Sequence, residues 1–424
     1  MEKLEPEKSL HIDSMVTQGV GDCEICGSTT MTEILDMGHQ PICNAFLSPD
    51  AVNEPEIYYA LKLVLCKKCY LTKLSTTIPA NIVFNTQHAY LSSSTQPLIK
   101  YFQSLAEKII SKFNIKQGDL VCDIGSNDGT FLGFFKNKGM KVIGIEPTPL
   151  PAKKAMDNDI PTMQAFFTEG VAKDVLKRFG KAKVVLAMNV LAHTDNVHSF
   201  LGGIKNIMNE DSVFVTQSHY LSSLMERLEY DTICHEHLRY YTLSTLRSLM
   251  KLHGIHISDA EIINEIHGGS ILTYCTLKDI SLGEKPNEIL QSEKKFQTLN
   301  TYVEFATKVR QSRRELTVLL FNIKEEKKSI VGIGAPMKSS TLLNYCNIGS
   351  DIVDYITEVN PLKIGKYLPG VYIPIIDEDA FFTSQPDYAL ILSWNIANDI
   401  IHKFRKRGYI GKFIIPVPKP RIID

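Results

Sequence analysis

The sequence has no excess of charge of either sign: 46 Lys and Arg stand against 47 Asp and Glu, a net charge of −1. Without a basic stripe, attraction to nucleic acid or to an anionic membrane surface is not expected. No apolar run approaches the ~20 residues needed to cross a bilayer. The opening "MEKLEPEKSL" mixes acids with lysines and lacks the apolar stretch of a signal peptide. A cytoplasmic protein is expected. The cysteines number nine, an odd count in a chain without an export signal, which argues against a disulfide framework. Short-period repeats and low-complexity segments are also missing.

What is present is a globular composition, 44% hydrophobic and 22% charged, over 424 residues, a length that implies two to three domains. A polar tail (1–20) precedes a turn-rich region (21–85) with strand-like alternation in "YYALKLVLC". Region 86–282 begins with the helical spacing of "YFQSLAEKIISKF". It continues through "GDLVCDIGSNDGTFLGFFKNKGMKVIGIEPT" as strand, glycine turn, helix and strand. Buried-strand patterns in "AKVVLAMNVLAH" and "DSVFVTQSHY" extend a βαβ rhythm, so a parallel sheet covered on both faces is expected. A charged helical connection (283–328) leads to a second small α/β unit (329–424), which opens with "SIVGIGAPMKSSTLLNYC". The fold class is α/β.

Two C-x-x-C knuckles, Cys23 with Cys26 and Cys66 with Cys69, offer four soft thiolates. A two-residue gap lets both sulfurs of a knuckle reach one ion, and two knuckles complete a tetrahedral site. Such a closed set leaves no open position, so a structural zinc is expected. His39 and Cys43, in the intervening loop, are substitute ligands, and ordinary buried thiols are the bland alternative.

The turn "VCDIGSNDGTFL" places Asp123, Gly125, Ser126, Asn127, Asp128 and Gly129 between a strand and a helix. Its spacing is not the dinucleotide G-x-G-x-x-G, and its acids repel a pyrophosphate but attract a cation. The amino group of S-adenosylmethionine is such a cation. The next strand ends in Glu146, where a carboxylate can accept both ribose hydroxyls of a nucleoside. Together they give the pattern of class I methyltransferases. Phe167 and Asn189 fall where later strand ends line the same pocket, or they are core and cap residues. In the last unit Lys338, with Ser339 and Ser340, begins a helix and forms a natural anion site, to which Lys363 and Lys366 add charge. Glu358 can accept a ribose hydroxyl, or the unit is a docking wall.

The ordered set of two knuckles, "DIGSNDG", "NVLAH", "HEHLRYY", "HGGS", "GAPMKSSTLLNYC", "KIGKYLPG" and "LSWN" resembles a known family from about residue 21 to the end. That family is the sugar C-methyltransferases acting on nucleotide-linked 4-keto-6-deoxyhexoses. The resemblance implies a zinc-bearing N-terminal module, a central class I methyltransferase Rossmann-like domain, and a C-terminal Rossmann-like unit, with the sugar nucleotide in the cleft between the last two. It implies methylation at C3 of a substrate that is dTDP-linked. His237 is then the general base that removes the C3 hydrogen, an imidazole suiting proton transfer near neutral pH. Glu236 orients or tunes it, and His193 lies near the developing enolate oxygen. Tyr90 matches an aromatic near the sugar, with His88 as its rival. Lys338 and Lys363 suit the diphosphate. His267 binds substrate or stabilises its turn, and His235 is a structural imidazole. The chain departs from the pattern at Cys234, where tyrosine is usual: a thiol is smaller, a weaker donor and more easily ionised. Alternatives are C5 methylation, an O- or N-methyltransferase on another small molecule, and a zinc-module scaffold without activity. A monomer is expected, a dimer being the alternative.

Overall fold

The computed structural model describes residues 21–84, 91–264 and 268–424. The polar tail, the boundary at residue 85, and Tyr90, His88 and His267 lie outside these residues. The described strands form three sheets. The first region contributes β1 (Met31–Gln40), β2 (Tyr59–Cys66) and β3 (Thr72–Leu74). The second contributes β4 (Leu120–Ile124), β5 (Lys141–Ile145), β6 (Thr162–Met163), β7 (Val184–Met188), β8 (Val213–His219), β9 (Arg239–Tyr240), β10 (His256–Ile263) and β11 (Ser270–Thr276). The last contributes β12 (Ile330–Ile333), β13 (Tyr355–Glu358), β14 (Ile375–Asp377), β15 (Tyr388–Ile391), β16 (Lys412–Ile415) and β17 (Arg421–Ile423).

The central sheet runs β10-β11-β8-β7-β4-β5-β6, with β4 to β8 parallel and β11 reversed against β8. Its strands are continuous apolar runs because both faces are covered. Val121, Val142 and Val184 pack with Phe102, Phe131 and Phe135 of the helices Gln96–Lys112 and Thr130–Asn137. Their neighbours Cys122, Ile143 and Val185 pack with Val175 and Leu201 of the helices Glu169–Phe179 and Val197–Ile207. The chain leaves β4 for β5 on one side and returns through β7 on the other. A crevice therefore opens at the carboxyl ends of β4 and β7. The C-terminal sheet, β14-β13-β12-β15-β16-β17, repeats the arrangement at β12 and β15, with β17 alone antiparallel.

The small first sheet is not closed on itself. Its fourth strand is β9, from the segment just after the two histidines, pairing Thr72 with Tyr240 and Lys73 with Arg239. Glu24, inside the first knuckle, bonds both Lys73 (3.1 Å) and Arg239 (2.7 Å). Burial opposes its charge, but these two cations hold its carboxyl below the ordinary range. The helix Leu299–Glu325 buries Tyr302, Phe305, Val309, Leu316 and Leu320 at helical spacing. They join Leu35 and Leu63 of the first sheet and Leu343 and Ile356 of the last in one core. Just before it, the buried Glu293 accepts from Tyr220 (2.9 Å), from the N–H groups of Leu243 (2.6 Å) and Ser244 (2.8 Å), and from the Ser244 hydroxyl (2.6 Å). A carboxylate thus satisfies the free amides at the start of the helix Leu243–Leu252.

The two knuckles fold alike. In each, the first cysteine's carbonyl accepts from the residue four positions on, Gly27 for Cys23 and Tyr70 for Cys66, both at 2.8 Å. Those closing residues have φ of +66° and +62°. The four sulfurs lie within 4.8 Å of one another, with Cys23 3.3 Å from Cys69 and Cys26 3.5 Å from Cys66. A tetrahedral ion with bonds of ~2.3 Å separates its sulfurs by about 3.8 Å, so the set fits zinc. Cys43 stands elsewhere, with its thiol 3.5 Å from Glu236 Oε1. Because this ion organises the module that carries β3, Cys66→Ser should reduce the zinc content of the purified protein from about one equivalent per chain toward none. It should also lower its Tm. Full zinc retention, measured by mass spectrometry of the metal, would refute the assignment.

Candidate active site

A cleft of about 1460 Å³ is walled by all three regions. Its floor on the central sheet is the turn after β4. Gly125 has φ +69°, and a side chain there would press within 2.5 Å of Val190 Cγ2. Asn127, at φ +50°, donates its N–H to Glu146 Oε2 at 3.0 Å, while Thr148 N–H bonds Oε1 at 2.7 Å. Glu146 is thereby fixed at the end of β5 by two backbone amides. Gly125, Asn127, Glu146, Phe167 and Asn189 all line the cleft, with Phe167 edge-on to Phe200 at 5.4 Å.

Asp123, Ser126, Asp128 and Gly129 stand behind that wall, outside the lining. Asp128 spends its oxygens locally, accepting from Ser93 N–H (2.9 Å) and from Thr130 N–H (3.2 Å) and Oγ1 (2.6 Å). Asn127 Oδ1 likewise accepts from Ser92 N–H at 2.8 Å. Gly129 makes room for Ile160, whose Cγ1 would lie 2.9 Å from an added Cβ. Asp123 differs: its Oδ1 is buried without a partner, as are Ser126 Oγ and Asn189 Oδ1. Burial, and then the charge of Glu146, push Asp123 up to about 8. Of these three residues, Asn189 lines the cleft, and with the fixed Glu146 carboxylate and the Phe167 ring it suits the ribose and adenine of S-adenosylmethionine.

Above this floor three imidazoles meet. The His237 ring is 5.0 Å from that of His193 and 4.8 Å from that of His219, and Phe84 lies edge-on to His193 at 5.5 Å. His237 Nδ1 is 2.8 Å from the carbonyl oxygen of Thr232, which only accepts. Nδ1 therefore carries the hydrogen, and Nε2 is the basic atom of the neutral ring. Glu236 Oε1 accepts from Asn44 Nδ2 at 2.5 Å as well as from Cys43. His235 is off the cleft, edge-on to Tyr59 at 5.9 Å, and burial drives it down to about 4. Cys234 is buried outside the lining, its sulfur 3.8 Å from that of Met337 and its N–H 3.3 Å from Tyr240 Oη. Burial raises its thiol, but bonding to Cys43 and the neighbouring His237 outweigh that and bring it to about 6. Burial likewise opposes charge on His237, yet Cys234 and the Thr232 carbonyl lift it to about 9. Each group stabilises the charge of the other.

The facing wall carries the cations. Lys338 Nζ bonds Asn395 Oδ1 (2.8 Å) and sits 4.2 Å over the Trp394 ring. Lys363 Nζ bonds the Ala335 carbonyl (2.8 Å) and lies 4.9 Å over Phe46. Burial lowers both lysines. Glu358 repeats the device of Glu146, accepting N–H groups from Ala335 (2.9 Å), Val359 (2.7 Å) and Asn360 (3.1 Å). His219, Asn44 and Glu229 also line the cleft and had not been singled out. The first had a signal, its place at the carboxyl end of a parallel strand. The other two had none.

Three family descriptions match successive segments of the chain. Residues 98–258 match a family described as "Methyltransferase domain", 265–418 match "C-methyltransferase C-terminal domain", and 23–84 match "Putative zinc binding domain". The chain is 30% identical over 416 residues to C-methyltransferase NovU of Streptomyces niveus, spanning 96% of this chain and 98% of that one. Solved structures are similar only in part. Magnesium protoporphyrin IX methyltransferase (ChlM) from Synechocystis PCC 6803, with bound SAM, is 13% identical over 42% of this chain and 78% of its own, at TM-score 0.33. An S-adenosylmethionine-dependent methyltransferase from Clostridium acetobutylicum ATCC 824 is 12% identical over 42% of this chain and 91% of its own, at TM-score 0.34. Matched along nearly its full length by a C-methyltransferase and bearing the zinc-binding module, the chain belongs to the S-adenosylmethionine-dependent C-methyltransferases.

Proposed function

We propose that this enzyme methylates C3 of a dTDP-linked 4-keto-6-deoxyhexose. The observation that carries the reading is His237: a ring lining the cleft, pinned at Nδ1 by Thr232, so that Nε2 is the nitrogen that exchanges a proton. Carbon is a nucleophile only after losing a proton, and a neighbouring ketone makes that loss feasible. His237 takes the hydrogen from C3. His193, beside it, donates to the oxygen at C4 as negative charge builds there. Glu236, held by Asn44, fixes the loop that carries the base. S-adenosylmethionine, when bound, supplies an electrophilic methyl group. Glu146 accepts its ribose hydroxyls, and Gly125, Asn127, Phe167 and Asn189 shape the rest of its seat. Lys338 and Lys363 receive the diphosphate. The cleft volume exceeds the ~300–1000 Å³ of ordinary ligand pockets, as two ligands require.

Cys234 has a defined part in this reading. The pair Cys234–His237 holds a proton that the thiol can take up, which returns the imidazole to its basic form. Replacing the thiol by a hydroxyl removes the negative partner, so the His237 pKa falls. The acid limb of kcat/KM, which follows that base, should move about two units lower in Cys234→Ser, toward the ordinary imidazole value of ~6.5. An unmoved limb would show that the two groups are not coupled in turnover.

The test of the reaction itself is mass spectrometry of nucleotide sugars incubated with enzyme and S-adenosylmethionine. Keto members of the panel should gain one methyl, and their 4-hydroxy counterparts none. His237→Ala should lower kcat by about 10²–10⁴ while S-adenosylmethionine binding persists. The variant should also lose exchange of the C3 hydrogen with heavy water. Methylation of the 4-hydroxy sugars would refute enolate chemistry.

A further inference from the structure

One glutamate in the cleft differs from the other buried glutamates described above. Glu146, Glu236, Glu293 and Glu358 all have oxygens bonded by amides or side chains. Glu229 lines the cleft and is 1% exposed, yet among the described residues neither of its carboxylate oxygens has a partner. Buried polar groups are nearly always satisfied, and one left unmet at a ligand site points to a ligand. Its surroundings are closely built. Gly268, at φ +77°, leaves the space in which Glu229 lies: an added Cβ would be 2.4 Å from Oε2. Arg227 is turned to the Gly268 carbonyl at 2.7 Å. Asp231, fully buried, accepts from Trp394 Nε1 at 2.6 Å, and Trp394 carries Lys338 on its face.

The same turn carries the base. Thr232 donates through Oγ1 to the Glu229 carbonyl at 2.7 Å, and the Thr232 carbonyl holds His237 Nδ1. Glu229 thus lies on the turn that pins the reacting histidine, which favours the sugar over the nucleotide as the source of a group bound there.

Resting on the sugar reading above, we propose that Glu229 is a specificity-determining residue whose carboxyl binds a ring hydroxyl of the acceptor. The occupant is a hydroxyl and not an ammonium, because Arg227 and Lys338 already supply cations there. Burial, and then the charge of Asp231, push Glu229 up to about 8 against the pull of Lys338 and Arg227. A carboxyl that is neutral near pH 7 both accepts from a hydroxyl and donates to it.

The experiment is calorimetry on the zinc-loaded full chain with S-adenosylhomocysteine present, titrated with dTDP and with dTDP-4-keto-6-deoxyglucose. Glu229→Ala should weaken binding of the sugar nucleotide about ten- to hundredfold and leave dTDP within about twofold. Glu229→Gln, of the same shape, should lose less than Ala but show the same contrast between ligands, and decides the matter if Ala does not fold. Equal losses for both ligands, or none, would overturn the proposal and leave Glu229 a structural residue. A wild type that binds the 3-amino counterpart about tenfold more tightly than the 3-hydroxy sugar would overturn the hydroxyl assignment. If the wild type binds dTDP equally well with and without the sugar, the sugar reading itself fails, and this proposal with it.

Discussion

Glu236 is almost sealed from solvent, and a buried carboxylate is tolerable only when its oxygens are hydrogen-bonded. Two of its partners come from another domain. Asn44 and Cys43 reach it from the zinc module, so the module's position is dictated by the loop it serves. The metal knuckles, the Glu24 bridge to Arg239 and the short β3–β9 ladder all hold that one arrangement. An apparently peripheral ion thereby helps to set where His237 stands.

The two α/β units solve the same electrostatic problem in the same way. Each ends a strand in a glutamate, Glu146 on β5 and Glu358 on β13, and each glutamate is held by backbone amides of the glycine turn beside it. The remaining lone pairs face the cleft at a switch point of the sheet. Two such strand ends, one from each unit, thus line a single cleft.

Much of this was legible because it is local. A C-x-x-C knuckle, a glycine turn after a strand and a strand-end glutamate are set by spacings of a few residues, and all three stand where the spacing placed them. Asp123 and Asp128 looked equivalent in the sequence. Only the fold separates them, since Asp128 is used up by Ser93 and Thr130 while Asp123 keeps a free oxygen. Asn44 comes from a segment far from His219 and Glu229, and it joins them only through the tertiary fold. The two-residue β9 carries no periodicity to detect, so the pairing that locks the first module to the second left no trace in the pattern.

The small module also shares in two hydrophobic cores. Leu35, Leu63 and Phe46 pack with Leu343 and Ile356 of the last unit, while Cys23, Cys66 and Leu71 pack with Leu243 and Leu246 of the central one. It acts as a wedge between the jaws, and swinging them apart would shear both interiors at once. Its apolar contacts thus tie the central and the last units to one another through a third body.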